Sequence, residues 1–367
     1  MKKIIDVFAG VGGLSLGAAR AGFDVCAAVE IDKFALETHS KNFPLTKHID
    51  KDVSKLTGAE MLELAGLKKG ELDGLIGGPP CQGFSPIGVG DLKDPRSQLF
   101  GHFFRLVSET SPAFFMAENV PGILNEKYDK IREKAFKKLK GTYVLLEPIK
   151  VKASEYGAPT IRTRIFFIGY DPLKIESLTT DLFKPPADIK PVTVKEALEG
   201  LPVIIKPEWK SEESGWRPYT AMVKTTFSKL ITGRIPKKMG DPDSLKRYRE
   251  KKEVSGCMGT AHSKEVEARY KALEVGKQDP VSKSTKLNPA GFCPTLRAGT
   301  ASDKGSYQAV RPIHYTKPRV ITPREAARLQ GFPDWFVLHR TKWHSFRQIG
   351  NSVSPIVSEY LLSKFYK

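Results

Sequence analysis

At 367 residues the chain is long for one compact domain, which predicts a large lobe and a smaller one. Its 59 lysines and arginines against 41 aspartates and glutamates give a formal charge of +18, which favours a polyanionic partner, with nucleic acid ahead of a membrane surface. The opening MKKIIDVFAG has no secretory leader pattern, no stretch reaches membrane-spanning length, and Cys26, Cys81, Cys257 and Cys293 lack zinc-type or CxxC spacing. A cytoplasmic, nucleoid-associated enzyme with free thiols and no metal is expected.

Apolar runs at 4–8, 25–29, 72–76, 113–117, 143–151 and 165–170 alternate with helix-like segments. That rhythm predicts an α/β fold built on a doubly wound, mostly parallel, Rossmann-like sheet. From about Asp171 the sequence turns proline-rich and charged, and regular alternation does not return. Residues 221–260 hold ten lysines and arginines against four acidic residues, a diffuse excess that suits either a solvated face or a nucleic-acid surface. Near the C-terminal end Thr322 and Pro323 predict an N-cap and first turn for a short helix to Gln330, and the segment after Ser354-Pro355 predicts a final amphipathic helix. The expected organisation is a catalytic lobe of residues 1–185 completed by 320–367, with 186–319 as a smaller recognition lobe.

Four constellations carry chemistry. In DVFAGVGG, residues 6–13, a strand runs into a glycine-rich turn and then a helix, so the backbone can approach a nucleotide-like ligand. The spacing is not the dinucleotide fingerprint, because position 15 is Ser15 where that pattern has glycine; a pyrophosphate is disfavoured. Glu30, at the end of the second strand, is placed to accept from ribose hydroxyls, and Asp52-Val53, where a third strand is expected to end, to meet an adenine edge. GGPPCQGFS, residues 77–85, follows a buried strand and displays Cys81 on a stiff Pro-Pro platform, as suits an exposed nucleophile. Cys26, Cys257 and Cys293 read as packing or surface residues. In AENVPG, residues 117–122, Glu118 follows another strand at the same sheet edge, where a closing pocket would raise its pKa and let it engage a ring nitrogen. Arg162 and Arg164 enter the strand at 165 on one side and are expected at the same pocket mouth.

Taken in order with YGAPTIRTR from Tyr156, RVITPREAARLQGFPD from Arg319 and QIGNSVSP from Gln348, these segments resemble the ordered motif set of the DNA (cytosine-5)-methyltransferases of bacterial restriction-modification systems. The match spans most of 4–170 and 319–355. The resemblance implies an S-adenosylmethionine-dependent methyltransferase fold and transfer of a methyl group to C5 of a flipped-out cytosine in a specific duplex DNA sequence. It implies attack by Cys81 on cytosine C6, contact of Glu118 with N3 and the exocyclic amine, and support of O2 by Arg164 with Arg162. The S-adenosylmethionine pocket would comprise Phe8 on the adenine, Glu30 on the ribose, and Ala9, Gly10, Gly12, Gly13, Leu14, Ile31, Asp52, Val53, Pro79, Leu99, Asn351 and Val353. Gln82, Ser85 and Arg96 would touch DNA, and the loop over 83–95 would close on the extruded base. A monomer on duplex DNA is implied, with room for a cognate restriction endonuclease.

Three departures stand out: Thr160 replaces the usual glutamine before the arginines, Ser352 and Ser354 alter the commoner GNAVPP, and the presumed recognition region is longer than in minimal members. Among rivals, a tRNA cytosine-5 methyltransferase shares the PPCQ loop, but its Cys-Phe-Thr signature is absent, Gly291-Phe292-Cys293-Pro294 not being its equivalent. Amino-group methyltransferases need a Pro-Pro-Tyr type loop where Cys81 stands. An NAD-dependent oxidoreductase conflicts with the broken glycine spacing. A silent DNA-binding relative would not need Cys81, Glu118 and Arg164 together.

Overall fold

The computed structural model describes residues 1–80, 95–206, 213–233, 235–299 and 310–366, the side chains of 95–97 and 213 excepted. The first half alternates strand and helix: β1 (Lys3–Val7), α1 (Gly13–Arg20), β2 (Asp24–Val29), α2 (Lys33–Asn42), β3 (Lys47–Ile49), α3 (Gly58–Ala65), β4 (Gly74–Gly77), α4 (Pro95–Thr110) and β5 (Phe114–Asn119). After α5 (Asp129–Phe136) come β6 (Val144–Leu145), β7 (Ile149–Lys152) and β8 (Thr163–Tyr170). They form one eight-stranded sheet in the order β3-β2-β1-β4-β5-β8-β6, with β7 also on β8. The first five strands run parallel; β8 enters antiparallel to β5, and β6 and β7 antiparallel to β8. The single run expected over 143–151 divides around Pro148, which has no N–H to offer a ladder.

Why these runs are almost continuously apolar is visible in their burial. Alternate residues face opposite ways. Ile4, Phe114, Met116, Phe166 and Ile168 join a cluster under α1 and the C-terminal helices, while Ile5, Val7, Phe115, Ala117, Ile165 and Phe167 join a second under α3, α4 and α5. Phe100, Phe103 and Phe104 of α4 stack edge-on into that second layer.

Beyond Asp171 the elements are short: α6 (Val194–Leu198), β9 (Arg217–Pro218) paired with β10 (Glu253–Val254), and between them α7 (Thr226–Thr232) and α8 (Pro242–Lys246), then α9 (Lys264–Ala272). Three helices end the chain: α10 (Pro323–Gln330), α11 (Lys342–Asn351) and α12 (Pro355–Ser363). Val194, Phe227, Tyr248 and Leu296 pack into the same cluster as α10 and α12.

The start of α10 is as its sequence predicts. Thr322 caps it, Glu325 closes a capping box and Pro323 takes the first turn. What the pattern does not show is that the whole helix is buried, arginines included. Arg324 donates to the Ser255, Pro333 and Phe336 carbonyls and to Ser255 Oγ, and Arg328 pairs with Asp334 at 2.6 and 2.7 Å. Arg328 also reaches the carbonyls of Ala197 and Glu199, so one guanidinium ties α10 to α6. Buried charge on this scale is tolerable only when paired and hydrogen-bonded throughout.

Candidate active site

Register places four chain segments side by side at the carboxyl edge of the sheet. Val7 of β1 is level with Val29 of β2 and Gly77 of β4, and Gly77 with Ala117 of β5. One residue further along each strand come Phe8, Glu30, Gly78 and Glu118. Since neighbouring strands lie about 4.8 Å apart, the four positions span roughly 15 Å of sheet edge. The strand order reverses between β1 and β4, the crevice where open α/β sheets bind ligands.

On the β1–β2 side the glycine turn is held by Glu30. Its Oε2 accepts from Gly10 N and its Oε1 from Asp32 N, both at 2.8 Å, while burial pushes its carboxyl above the usual range against those two bonds. Phe8 adopts φ 61° and Gly10 φ 56°; a Cβ on Gly10 would meet nothing within 4 Å, so the turn borders open space. Gly13 is different: its Cβ would stand 2.3 Å from the Val353 carbonyl, so only glycine lets the first turn of α1 lie against the segment after α11. The cradle therefore joins Phe8, Ala9, Gly10, Gly12, Gly13 and Leu14 to Val353 across the sequence, with Asn351 exposed beside it. Ile31 is 62 % exposed at the rim, and Leu99 is half-buried. β3 ends at Ile49, three residues before Asp52; Asp52 Oδ1 is capped by Ser54 N, which holds its carboxyl down, and Val53 is buried with its carbonyl on Arg105.

On the β4–β5 side β5 runs on through Asn119, so Glu118 belongs to the strand itself. Asn119 Nδ2 donates to the Pro79 carbonyl at 3.3 Å, and a Cβ on Gly78 would sit 3.3 Å from Glu118 Oε2, so the Gly-Gly-Pro-Pro platform abuts this carboxylate. Arg164 Nε stands 2.6 Å from Glu118 Oε1, off the N–H direction; among the described residues that buried oxygen accepts no hydrogen bond. An acceptor held beside a cation in a crevice suits a ligand that brings its own donor. Cys81, Gln82 and Ser85, residues 83–94 of the loop expected over 83–95, and the Arg96 side chain lie outside the described residues, while Pro95 already opens α4.

Across this whole length the chain, residues 2–367, matches the family model of the C-5 cytosine-specific DNA methylases. The chain belongs to that family. It is 39 % identical over 364 residues to the type II methyltransferase M.XorII of Xanthomonas oryzae pv. oryzae, covering 96 % of this chain and 82 % of that protein. To M.DdeI of Desulfomicrobium norvegicum it is 31 % identical, with 99 % and 88 % covered. A crystal structure of a protein described as a DNA modification methyltransferase encoded within an E. coli prophage superposes with a TM-score of 0.90 at 54 % identity, covering 100 % of this chain and 99 % of that one. The Schizosaccharomyces pombe Dnmt2 methyltransferase, at 17 % identity and a TM-score of 0.61, shares the fold. The protein is thus a DNA cytosine-5-methyltransferase.

Within this methylase the two arginines separate. Arg164 faces Glu118, whereas Arg162 is buried and donates to the carbonyls of Leu296 and Gly350 at 3.2 and 2.9 Å. Thr160, the departure from the usual glutamine, forms a bridge with Cys293 and gives its hydroxyl to the Cys293 carbonyl at 3.1 Å. It locks segment 293–296 beneath the arginines. Ser352 Oγ turns back to the Gln348 carbonyl, closing the end of α11. Cys257 and Cys293 are buried and Cys26 half-buried; burial lifts Cys26 to about 11, Cys257 to about 12 and Cys293 higher still, which leaves these three thiols protonated at neutral pH. One feature below the glycine turn has no counterpart in the motif reading. Ser15 Oγ donates to Asp6 Oδ2 at 2.6 Å, His39 Nε2 lies 3.0 Å from Ser15 Oγ, and His39 Nδ1 lies 2.9 Å from His48 Nε2. Position 15, where the dinucleotide pattern has glycine, was the only sign of it.

Proposed function

We propose that this methylase methylates C5 of a cytosine flipped out of a specific duplex DNA sequence, through a covalent bond between Cys81 and C6, with S-adenosylmethionine as donor. The observation that carries the reading is the pairing of Glu118 with Arg164 against the Pro79-Pro80 platform that immediately precedes Cys81.

The open cradle at Gly10, the partly buried Glu30 carboxylate and the exposed Ile31 rim fit an adenosyl group. Phe8 would face the adenine, Glu30 the ribose, Asp52 and Val53 the adenine edge, with Pro79, Leu99, Asn351 and Val353 closing the pocket. When bound, S-adenosylmethionine would supply an electrophilic methyl group, the pair of the broken sulfur–methyl bond staying on sulfur, and leave as S-adenosylhomocysteine. The protein's own residues do the rest. The Cys81 thiolate adds to C6, and the electron pair of the C5–C6 bond is released toward C5. Glu118 accepts from the exocyclic amine and from N3 once that atom has taken a proton, which favours the adduct, and Arg164 beside it supports O2. C5 takes the methyl, loses its proton to solvent, and the returning pair expels the thiolate, regenerating Cys81. Arg162, bonded to backbone carbonyls, serves this site by placement of the segments around it.

The type II relatives support a role in restriction-modification. The proposal adds a monomer acting on duplex DNA in the cytoplasm, at the word cut by a cognate endonuclease, with 186–319 as the recognition lobe and Gln82, Ser85 and Arg96 on the DNA. Transfer of labelled methyl from S-adenosylmethionine to unmethylated duplex DNA, followed by base-resolution mapping, tests this. Label at one cytosine of one word is expected; label confined to RNA overturns the reading. Cys81→Ser is expected to bind DNA and donor without turnover, and normal turnover would sink the covalent step.

A further inference from the structure

Away from the sheet edge, a cavity of about 530 Å³ opens between α11 and the segments at 260–262 and 281–284. Lys342, Trp343 and Phe346 of α11 form one wall, and Arg311 comes in from the chain beyond. The Arg311 guanidinium lies over the Phe346 ring at 4.3 Å, and Lys342 Nζ is steered by the Gly259 carbonyl at 3.1 Å and Thr260 Oγ1 at 2.8 Å. Burial lowers Arg311 only to about 10, so it stays cationic at neutral pH. Trp343 is 38 % exposed at the mouth, with Arg347 5.4 Å from its ring. Among the described residues that line the cavity there are two fixed cations, two serines, a threonine and His262, and no carboxylate.

Two cations on a wall with exposed aromatics, in a protein whose substrate is DNA, match the chemistry of one nucleotide: phosphate to the cations, base or sugar to the ring. The cavity is large enough for such a group. Helix α11 runs from the cavity, which its first residue Lys342 lines, to Asn351, one residue before the Ser352-Val353 segment that lies against Gly13 of the glycine turn. At 1.5 Å per residue that is about 13 Å, close to four base-pair steps of one strand.

We propose that this groove is a second DNA seat, which takes one nucleotide of a strand flanking the methylated word, its phosphate against Arg311 and Lys342 and its base or sugar on Trp343. The proposal rests on the DNA-methylating reading above. A flanking contact adds affinity without touching the reacting base. Lys342 already ties α11 to Gly259 and Thr260 across the groove, so a strand seated there meets both segments in place.

The test compares a duplex extending well beyond the mapped word with one truncated close to it, using Arg311→Gln, Lys342→Gln, Trp343→Ala and Trp343→Phe. For the long duplex, each cation variant should weaken binding several-fold and make the slope of log affinity against log salt shallower by about one. Trp343→Ala should weaken it about tenfold, Trp343→Phe should restore most of that, and DNA should quench the wild-type tryptophan emission. The short duplex should bind all forms alike, and single-turnover transfer at saturating DNA should be unchanged. Trp343 is exposed, so its variants report even where a Lys342 change unsettles the fold. Unchanged affinity and slope on the long duplex, with wild-type transfer intact, overturn the groove alone. Concentration-dependent self-association lost in Trp343→Ala, with DNA binding unaltered, assigns the groove to a second copy and also overturns it. A wild-type protein that transfers no methyl to DNA overturns both this seat and the function it rests on.

Discussion

Glu118 owes its position to three neighbours that come from different parts of the chain: Arg164 beside Oε1, the Gly78 backbone beside Oε2, and Asn119 pinning the Pro79 carbonyl. Glu118→Gln keeps the shape and removes the charge and one acceptor. It should leave DNA binding near normal and slow single-turnover methyl transfer by about 10²–10⁴-fold, the usual range for a positioned acid–base group; an unchanged rate would remove Glu118 from the pocket. Asp6 gives a prediction of another kind. Burial raises its carboxyl to about 7 in the folded protein, from 3.8 when unfolded, in spite of the Ser15 bond. Below pH 4 both states are protonated. Between 4 and 7 the folded state keeps a proton the unfolded state has lost, so stability falls as pH rises, and above 7 the full cost, roughly 4 kcal/mol, is present. Asp6→Asn should therefore gain Tm over wild type at pH 8 and little at pH 4, measured by thermal unfolding across that range. An equal offset at both pH values would mean that Asp6 does not titrate this way. At this scale the sequence is readable where one residue's type suffices, as with Thr322 capping α10. It misleads where direction depends on remote carbonyls: Arg162 sits two positions from Arg164, yet its partners lie 134 and 188 residues away.

Among elements, α10 shows both sides of the same lesson. Its cap, proline and length follow from Thr322, Pro323 and Glu325. Its burial does not, because a helix carrying Arg324, Glu325 and Arg328 has the composition of a solvated one. The partners that make it a core helix, Ser255, Asp334 and the Ala197 and Glu199 carbonyls, are supplied by segments with no periodic signal. Asp334→Ala strands the Arg328 guanidinium in a buried site and should cost about 3–5 kcal/mol, read as a large fall in the urea midpoint. Replacing Arg328 and Asp334 together by leucine should cost much less; equal losses would show that pairing is not what matters. The parallel strands were legible for the opposite reason. Buried on both faces, they become apolar runs that no surface segment imitates.

For the molecule as a whole, the charge of +18 is spread over a chain whose family acts on DNA. Each phosphate neutralised releases counterions, so affinity should fall by about three orders of magnitude or more between 50 and 200 mM salt if six or more phosphates are engaged. Fluorescence anisotropy with a labelled duplex measures this, and an affinity indifferent to salt would refute a backbone-dominated interface. The segment 186–319, proposed as the recognition lobe, is harder to read from composition, since it carries few regular elements and shares its apolar side chains with the C-terminal helices.

One consequence of the packing of α12 on α1 concerns the order in which the protein is made. Ser358 Oγ bonds the Gly13 carbonyl at 2.9 Å, Gly17 leaves room only for Ser358, and the Val353 carbonyl lies against Gly13. The proposed donor cradle is thus walled by residues as far as 345 positions apart, and a ribosome delivers the first wall long before the second. A nascent chain has its glycine turn but no floor beneath it. If the cradle holds the donor as proposed, removal of the chain from Val353 onward should abolish donor binding before it disturbs the sheet.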